Sequence, residues 1–263
     1  MHPPSSFAAL LRCALLAAAL SLAAPACRGA EPVRLASLAW EPYIGPDLPE
    51  QGFAAALVRA AFAAEGIPVE IEFHSWEHAL ELARSGAVDG LVPEYYNGQR
   101  EAEFAYSAPL VNGPLVLYKR HEAELAYRPI GSLDAGLRAL STQRFGVVSG
   151  YLNTPTFDAA DYLTKIEAVD DAANLRNLAE GRIDLAVIDR HVAAYVIRTR
   201  HPEFAQTLVP MSPPLGEMAL YVAFSRKSPR ATELRAAFNR GLEKLSAEGR
   251  LNPLRRRLLD ERK

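Results

Sequence analysis

Two short stretches of the chain carry acids in matching places. Gly86 to Glu94 reads GAVDGLVPE and Gly181 to Asp189 reads GRIDLAVID. Laid over one another, Gly86 meets Gly181, Val88 meets Ile183, Asp89 meets Asp184 and Glu94 meets Asp189, every pair 95 positions apart. In each copy a helix-like segment (ALELARS, NLRNLAE) runs into a glycine at the helix stop position, then into a short apolar strand ending on a carboxylate. Open α/β sheets bind ligands beyond the carboxyl ends of their strands. Glu94 and Asp189 are therefore candidate ligand groups, and an acid facing a cleft suits an ammonium. The competing account of Asp189 is an acid that supports the N-terminus of the helix beginning near His191. Asp184, inside its strand, is read as structural, and chance similarity remains the plain alternative to a repeat.

Arg100 follows the first copy. Its guanidinium is planar, always charged and suited to gripping a carboxylate with two hydrogen bonds; the bland alternative is a solvated arginine after the Tyr-Tyr-Asn-Gly turn. Ser149-Gly150-Tyr151-Leu152-Asn153-Thr154 offers a second kind of anion site, backbone N–H groups at a helix start with Ser149 and Asn153 beside them. Asn153-Thr154-Pro155 could equally be only a cap and a first turn. Tyr95 and Tyr96 can wall an apolar or cationic ligand, or simply pack. His74, Glu77 and His78 match H-x-x-E-H, a zinc-peptidase pattern. That site needs both histidines on one helix. Here His74 ends a strand and Ser75 caps the next helix, so the imidazoles are expected to diverge and no metal is expected. P-loop, dinucleotide-binding glycine, G-x-S-x-G and paired-cysteine zinc patterns are absent from the sequence.

The elements that must position these groups alternate. Val33 to Leu38 reads as a strand. Phe53, Leu57, Ala60, Ala61 and Ala64 recur at helical spacing until Gly66. Val69, Ile71 and Phe73 alternate with acids as a half-exposed strand, and Trp76 to Ser85 is a helix with Ser75 as its N-cap. Strand–helix–strand–helix–strand argues for a parallel α/β lobe. Later come strands at Leu115–Tyr118, Phe145–Val148, Lys165–Val169, Ile183–Ile188 and Leu220–Phe224. Helices are expected at Asp158–Leu163, Ala172–Glu180, His191–Arg200 and Pro229–Glu248, with a mixed connection over 120–142. The late strand and last helix need the first lobe as partner, so a second lobe is inserted into the first. Two crossings then form a hinge, near Asn112-Gly113 and Met218-Ala219.

Composition sets the outer limits. The chain has 263 residues, 49% apolar and 23% charged, with a formal net charge of −2, ordinary values for a soluble globular protein. Residues 1–26 read as a secretory signal: Arg12, an apolar run from Cys13 to Ala24, then Ala24-Pro25-Ala26 for cleavage. Removing them takes away Arg12 and no acid, which leaves a mildly acidic exported protein without the basic footprint of a nucleic-acid binder. Of the two cysteines, Cys13 lies in the signal and Cys27 at its edge, so no internal disulfide forms. Ala-Pro-Ala-Cys27 is a poor lipidation site because of Pro25.

In this order the landmarks resemble the type 3 periplasmic solute-binding proteins, which deliver polar amino acids to ABC transporters. They are Trp40, Pro42 and Tyr43; Gly52-Phe53; Trp76; Leu82, Gly86 and Asp89; Arg100 with Tyr106 to Pro109; Gly146-Val147-Val148 with Gly150; and Leu178 with Gly181 to Asp184 and Asp189. The resemblance covers essentially the whole mature chain. It implies an α/β, two-lobed Venus-flytrap fold, class II-like with two hinge crossings: residues 27–111 and 220–263 in lobe 1, 112–219 in lobe 2. It further implies a periplasmic monomer that is not an enzyme and uses no cofactor. Its partners would be an amino-acid-like solute and a membrane ABC permease. Arg100 then falls where the family grips the ligand α-carboxylate, Asp189 where it pairs with the α-amino group, and Ser149, Gly150, Tyr151 and Asn153 at its ligand-binding turn. Trp40 and Tyr43 fall where an aromatic ring stacks on the ligand. There are departures: Pro93-Glu94 replaces small hydroxyl-bearing residues, the loop to Arg100 looks one residue short, and Tyr151 stands where a small hydroxyl residue is usual. A carboxylate at Glu94 repels a carboxylate ligand unless it faces a cation. Enzymes of the cyclohexadienyl-dehydratase type share the scaffold, as do sensing proteins without a transporter, and both stand as alternatives.

Overall fold

Strand β1 (Val33–Ser37) is an apolar run whose residues are buried apart from Arg34. It lies parallel between β2 (Val69–Phe73) and β3 (Gly90–Tyr95), in register at Val33 with Val69 and at Leu35 with Gly90. The crossovers are helices α1 (Phe53–Ala63) and α2 (Trp76–Ser85). The computed structural model describes residues 30–260; the signal segment, Cys13 and Cys27 lie outside them. Pro32 onward belongs to one compact unit.

The chain leaves this half through β4 (Phe104–Tyr106) and the long strand β5 (Val111–Arg120). It then builds a second half from α3 (Leu133–Arg138), β6 (Arg144–Val148), α4 (Pro155–Asp158), β7 (Thr164–Ala168), α5 (Asp171–Ala179), β8 (Leu185–Asp189) and α6 (Arg190–Thr199). Strand β6 is parallel to both β7 and β8. The return runs through β9 (Leu208–Pro210), on the edge of β5, and the long strand β10 (Gly216–Ser225). Helices α7 (Ala231–Ala247) and α8 (Leu251–Asp260) close the chain. Helix α7 packs on α1, where Phe62, Phe224 and Phe238 are fully buried with ring centroids 5.4 to 6.4 Å apart. Each such ring contributes roughly 1.5–3 kcal/mol by leaving water.

Strands β5 and β10 join the halves. They pair antiparallel from Gly216 with Leu115 to Leu220 with Val111, placing Asn112 opposite Ala219 and Gly113 opposite Met218. The sheet order is β2-β1-β3-β10-β5-β8-β6-β7. One buried apolar cluster holds side chains from both halves, among them Trp40, Tyr43, Ile188 and Val192.

The echo in the sequence is a repeat of structure. Gly86 and Gly181 both have the positive φ (79° and 72°) that stops a helix and favours glycine. Three residues on, each aspartate clamps the first strand of its half. Asp89 accepts from the Arg34 N–H at 3.0 Å and donates its own N–H to Arg34 O at 2.7 Å. Asp184 does the same with Arg144, at 2.9 Å in both directions, and also binds the Arg144 guanidinium through both oxygens.

Several local expectations need correction. The helix that opens from the 149–156 stretch stops at Asp158 as the single turn α4 rather than running on through Leu163, and the Asp158 carboxylate bonds the Asn153 N–H and side chain at 3.0 Å. Ser75 occupies the N-cap position of α2, yet its side chain makes no capping hydrogen bond. Residues 120–142 contain α3, capped by Ser132. The imidazoles of His74 and His78 do not diverge: their centroids lie 4.9 Å apart at 83°, since His74 sits one turn below His78 across the cap. Among the described residues no group of three or more His, Cys, Asp or Glu side chains could hold a metal, and no helix is long and apolar enough to cross a membrane.

Candidate functional site

The C-terminal ends of the parallel strands of both halves face one another, and the chemistry gathers there, as strand ends in open α/β sheets dictate. After β1, the segment Trp40–Ile44 turns tightly, with the Trp40 N–H on Ile44 O at 2.8 Å. This stacks Trp40 on Tyr43 at 4.9 Å. Strand β3 ends on Glu94 and Tyr95, and Trp76 opens α2. From the other half come the turn after β6, Asp170-Asp171 at the start of α5, and Asp189 closing β8.

Hydrogen bonds cross between the halves. Trp40 Nε1 donates to Asp171 Oδ2 at 3.0 Å, and the Tyr43 and Tyr95 hydroxyls reach Asp189 Oδ2 at 3.1 and 3.3 Å. The Gly150 carbonyl accepts from Trp76 Nε1 at 3.1 Å and from Arg100 Nη2 at 2.8 Å. Ser149 Oγ lies 3.4 Å from Glu77, and Arg200 bonds Glu41 at 2.9 Å. Gly113 makes one of these crossings possible: a Cβ there would fall 2.2 Å from Asp189 Oδ2 and 2.5 Å from the Tyr43 hydroxyl.

Within this contact lies a cavity of about 30 Å³, walled by Trp40, Trp76, Tyr95, Tyr151, Glu94 and four apolar side chains. That is room for one or two water-sized groups. Tyr151 stands edge-on to Trp76 and Trp40, with centroids at 5.8 and 6.5 Å. Trp40, Trp76 and Tyr151 also wall a larger chamber of about 370 Å³, with Glu41, Asp170, Asp171, His74 and Arg200.

Three carboxylates are buried here, and burial raises all of them. Glu94 and Asp171 are each pushed up to about 7 and Asp189 to about 6. Arg100, and more distantly Arg84, pull Glu94 back; the Trp40 indole does the same for Asp171; N–H groups of α6 with the Tyr43 and Tyr95 hydroxyls do so for Asp189. Burial and the neighbouring acids lift the Tyr95 and Tyr151 hydroxyls well above the usual phenol range.

Of the residues singled out from sequence, Trp40, Glu94, Tyr95 and Tyr151 wall the cavity, and Tyr43, Arg100, Gly150 and Asp189 each touch one of those walls or Trp76, whereas Ser149 meets Glu77 and Asn153 is held by Asp158. Two behave differently from their first reading, and Asp189 takes the helix-capping role that stood as its alternative. Asp189 caps α6, its Oδ1 accepting from the His191 and Val192 N–H groups at 2.7 and 3.2 Å, while its Oδ2 takes the two tyrosines. Arg100 is engaged by Glu94 Oε1 at 3.1 Å and by Gly150 O. The 149–153 turn presents the Gly150 carbonyl to cations, and the N–H groups of Ser149, Tyr151 and Asn153 go to Ala168 O, Val148 O and Asp158. Tyr96 is 46% exposed and packs on Tyr106 and Tyr221, away from the cavity. Sequence reasoning missed Trp76 and Asp171 as parts of the site. Asp171 follows a strand end just as Asp189 does, so the same rule would have found it.

A two-lobed α/β frame with its sheet halves joined by two antiparallel hinge strands, and polar and aromatic groups converging between them, is a Venus-flytrap solute-binding fold. The chain belongs to the bacterial extracellular solute-binding proteins, family 3, whose profile matches residues 39–261. Solved structures share the frame at low identity. A histidine kinase sensor domain with similarity to periplasmic binding proteins superposes with a TM-score of 0.76 at 21% identity, covering 88% of this chain and 97% of that one. The GluR0 ligand-binding core from Nostoc punctiforme in complex with (L)-glutamate gives 0.70 at 17% identity, covering 87% and 100%. The amino acid ABC transporter substrate-binding protein AbpA from Streptococcus pneumoniae, bound to L-arginine, gives 0.67 at 18% identity, covering 87% and 95%. No curated protein sequence matches the chain.

Proposed function

We propose that the chain is an exported, periplasmic and monomeric solute-binding protein, not an enzyme, that captures a small amine-bearing polar solute for an ABC permease. The solute would be an amino acid or a related compound. The supporting observation is the convergence of Glu94, Arg100 and the aromatic walls of one half upon Asp171, Asp189 and the Gly150 turn of the other. Residues 27–111 with 220–263 act as one lobe and 112–219 as the other, flexing at the paired hinge strands after the signal 1–26 is removed. Contacts that a solute makes to both lobes favour the closed arrangement, which the permease reads.

A second reading is a sensing protein that binds solute without a transporter, and the likeness to a histidine kinase sensor domain favours it. Dehydratase chemistry would put Glu94 or Asp189 as general acid with Arg100 on a carboxylate. Asp189 caps a helix and Arg100 is held by Glu94, so the geometry gives that reading little support.

The test is a calorimetric and thermal-shift screen of amino acids, polyamines and organic acids with the purified mature chain. At least one solute should bind stoichiometrically without being consumed, and Arg100→Ala, which loses the bond between the halves at the Gly150 carbonyl, should bind it at least about tenfold more weakly. Tenfold corresponds to roughly 1.4 kcal/mol. Equal binding by the variant would move the site elsewhere; turnover would favour the enzyme.

A further inference from the structure

Glu94 is buried to 3% exposure at the wall of the smaller cavity. One of its oxygens meets Arg100, whereas Oε2 has no hydrogen-bond partner among the described residues. A buried carboxylate oxygen left unpaired is costly, and few natural structures carry one without a purpose. The other walls are the rings of Trp40, Trp76, Tyr95 and Tyr151 with Leu38, Pro93, Leu152 and Leu220, and no cation is among them. A carboxylate beside four aromatic rings is the chemistry that holds an organic ammonium.

The same geometry disfavours a ligand carboxylate. Arg100 already spends its guanidinium on Glu94 and on the Gly150 carbonyl, so an incoming carboxylate would meet Glu94 with like charge. The larger chamber has three acids, Glu41, Asp170 and Asp171, against two bases on its wall. Arg200 is paired with Glu41, and Asp170 caps α5 through the Ala173 N–H at 2.7 Å. Asp171 is engaged by the Trp40 indole and, at 3.4 Å, by Tyr151. His74 is the remaining basic side chain on its wall.

We propose that the cleft takes an aliphatic diamine or longer polyamine lacking a carboxylate, with one ammonium against Glu94 in the smaller cavity, the chain passing Tyr151, and the next ammonium at Asp171. This rests on the solute-binding reading above and narrows its ligand class. Tyr151 is then the divider between the two chambers, displaced from Asp171 as the chain threads past. An ammonium at Glu94 Oε2 also keeps that carboxylate ionised against its burial.

Matched pairs that differ by one carboxylate decide it: putrescine against ornithine, cadaverine against lysine, agmatine against arginine, each titrated calorimetrically into the mature chain. At least one decarboxylated member should bind tenfold or more tighter than its parent amino acid. Glu94→Gln should weaken that diamine at least tenfold. Asp171→Asn should weaken the diamine by a larger factor than it weakens butylamine, which has one ammonium, and an equal loss for both would remove Asp171 from the diamine site; melting curves of both variants check that they fold. If the amino acid is the tighter member of every pair, this inference fails and the solute-binding reading stands. If no amine binds but another solute of the wider screen does, the ammonium site is wrong. If nothing in the wider screen binds either, both readings fall.

Discussion

At the level of single residues, the acids divide by what surrounds them. Asp89 and Asp184 tie strand starts to strand starts. Arg144 beside Asp184 holds its carboxyl down at about 2, well below the usual carboxylate range. Asp184→Asn should cost about 1–3 kcal/mol, the range for losing hydrogen bonds to a charged group, and leave solute affinity unchanged; urea unfolding with a parallel titration checks both. The sequence made this pair legible, because a glycine stop and an aspartate recur at one fixed offset. It could not show where Asp189 spends its oxygens. A carboxylate at a strand end can face a cleft or cap the next helix, and Asp189 does both, Oδ1 capping α6 while Oδ2 takes Tyr43 and Tyr95 from the other half. Glu94 is the converse: its departure from small hydroxyl-bearing neighbours was visible, and its pairing with Arg100 satisfies one oxygen while leaving Oε2 unpaired.

Among the elements, the hinge strands were the hardest to read. Asn112-Gly113-Pro114 has the composition of a turn, and strands disfavour all three residue types. They nonetheless lie inside β5, because β10 pairs along the same stretch and fixes its register. The parallel strands were easier, being continuous apolar runs bounded by helix stops. Gly113 carries a specific demand, since the Tyr43–Asp189 bond leaves no space for a Cβ. Gly113→Ala should therefore push these groups apart, at a cost of about 1–3 kcal/mol typical of overpacking. The expected readouts are a larger radius of gyration by solution scattering and weaker solute binding, with the fold retained by circular dichroism. An unchanged radius would mean that the strands shift together to absorb the methyl group.

For the molecule as a whole, Glu94, Asp171 and Asp189 share a sign. Each has a folded-state pKa above its ordinary value, at about 7, 7 and 6. Between pH about 4 and about 7 the folded chain therefore holds protons that the unfolded chain has released, and stability falls as pH rises through that window. Below pH about 4 the unfolded chain is protonated at these sites too and the difference is constant. Asp184 works the other way, losing its contribution only as pH approaches 2. Melting should accordingly be several degrees higher at pH 5 than at pH 8, and Glu94→Gln should flatten part of the slope. A melting temperature that rises from pH 5 to pH 8 would contradict the assignment of these acids as buried and raised. Because all three lie where the lobes meet, the same measurement with a bound amine should show a smaller slope.

The chain has two tryptophans, and both indoles reach from one lobe to an acceptor on the other, Trp40 to Asp171 and Trp76 to the Gly150 carbonyl. Each ring is nearly buried, at 7% and 9% exposure. Parting the lobes would break both bonds and wet both rings at once. The unlabelled protein thus carries its own optical gauge of closure: its ultraviolet emission should shift to the red when the cleft opens and return to the blue when a solute draws it shut.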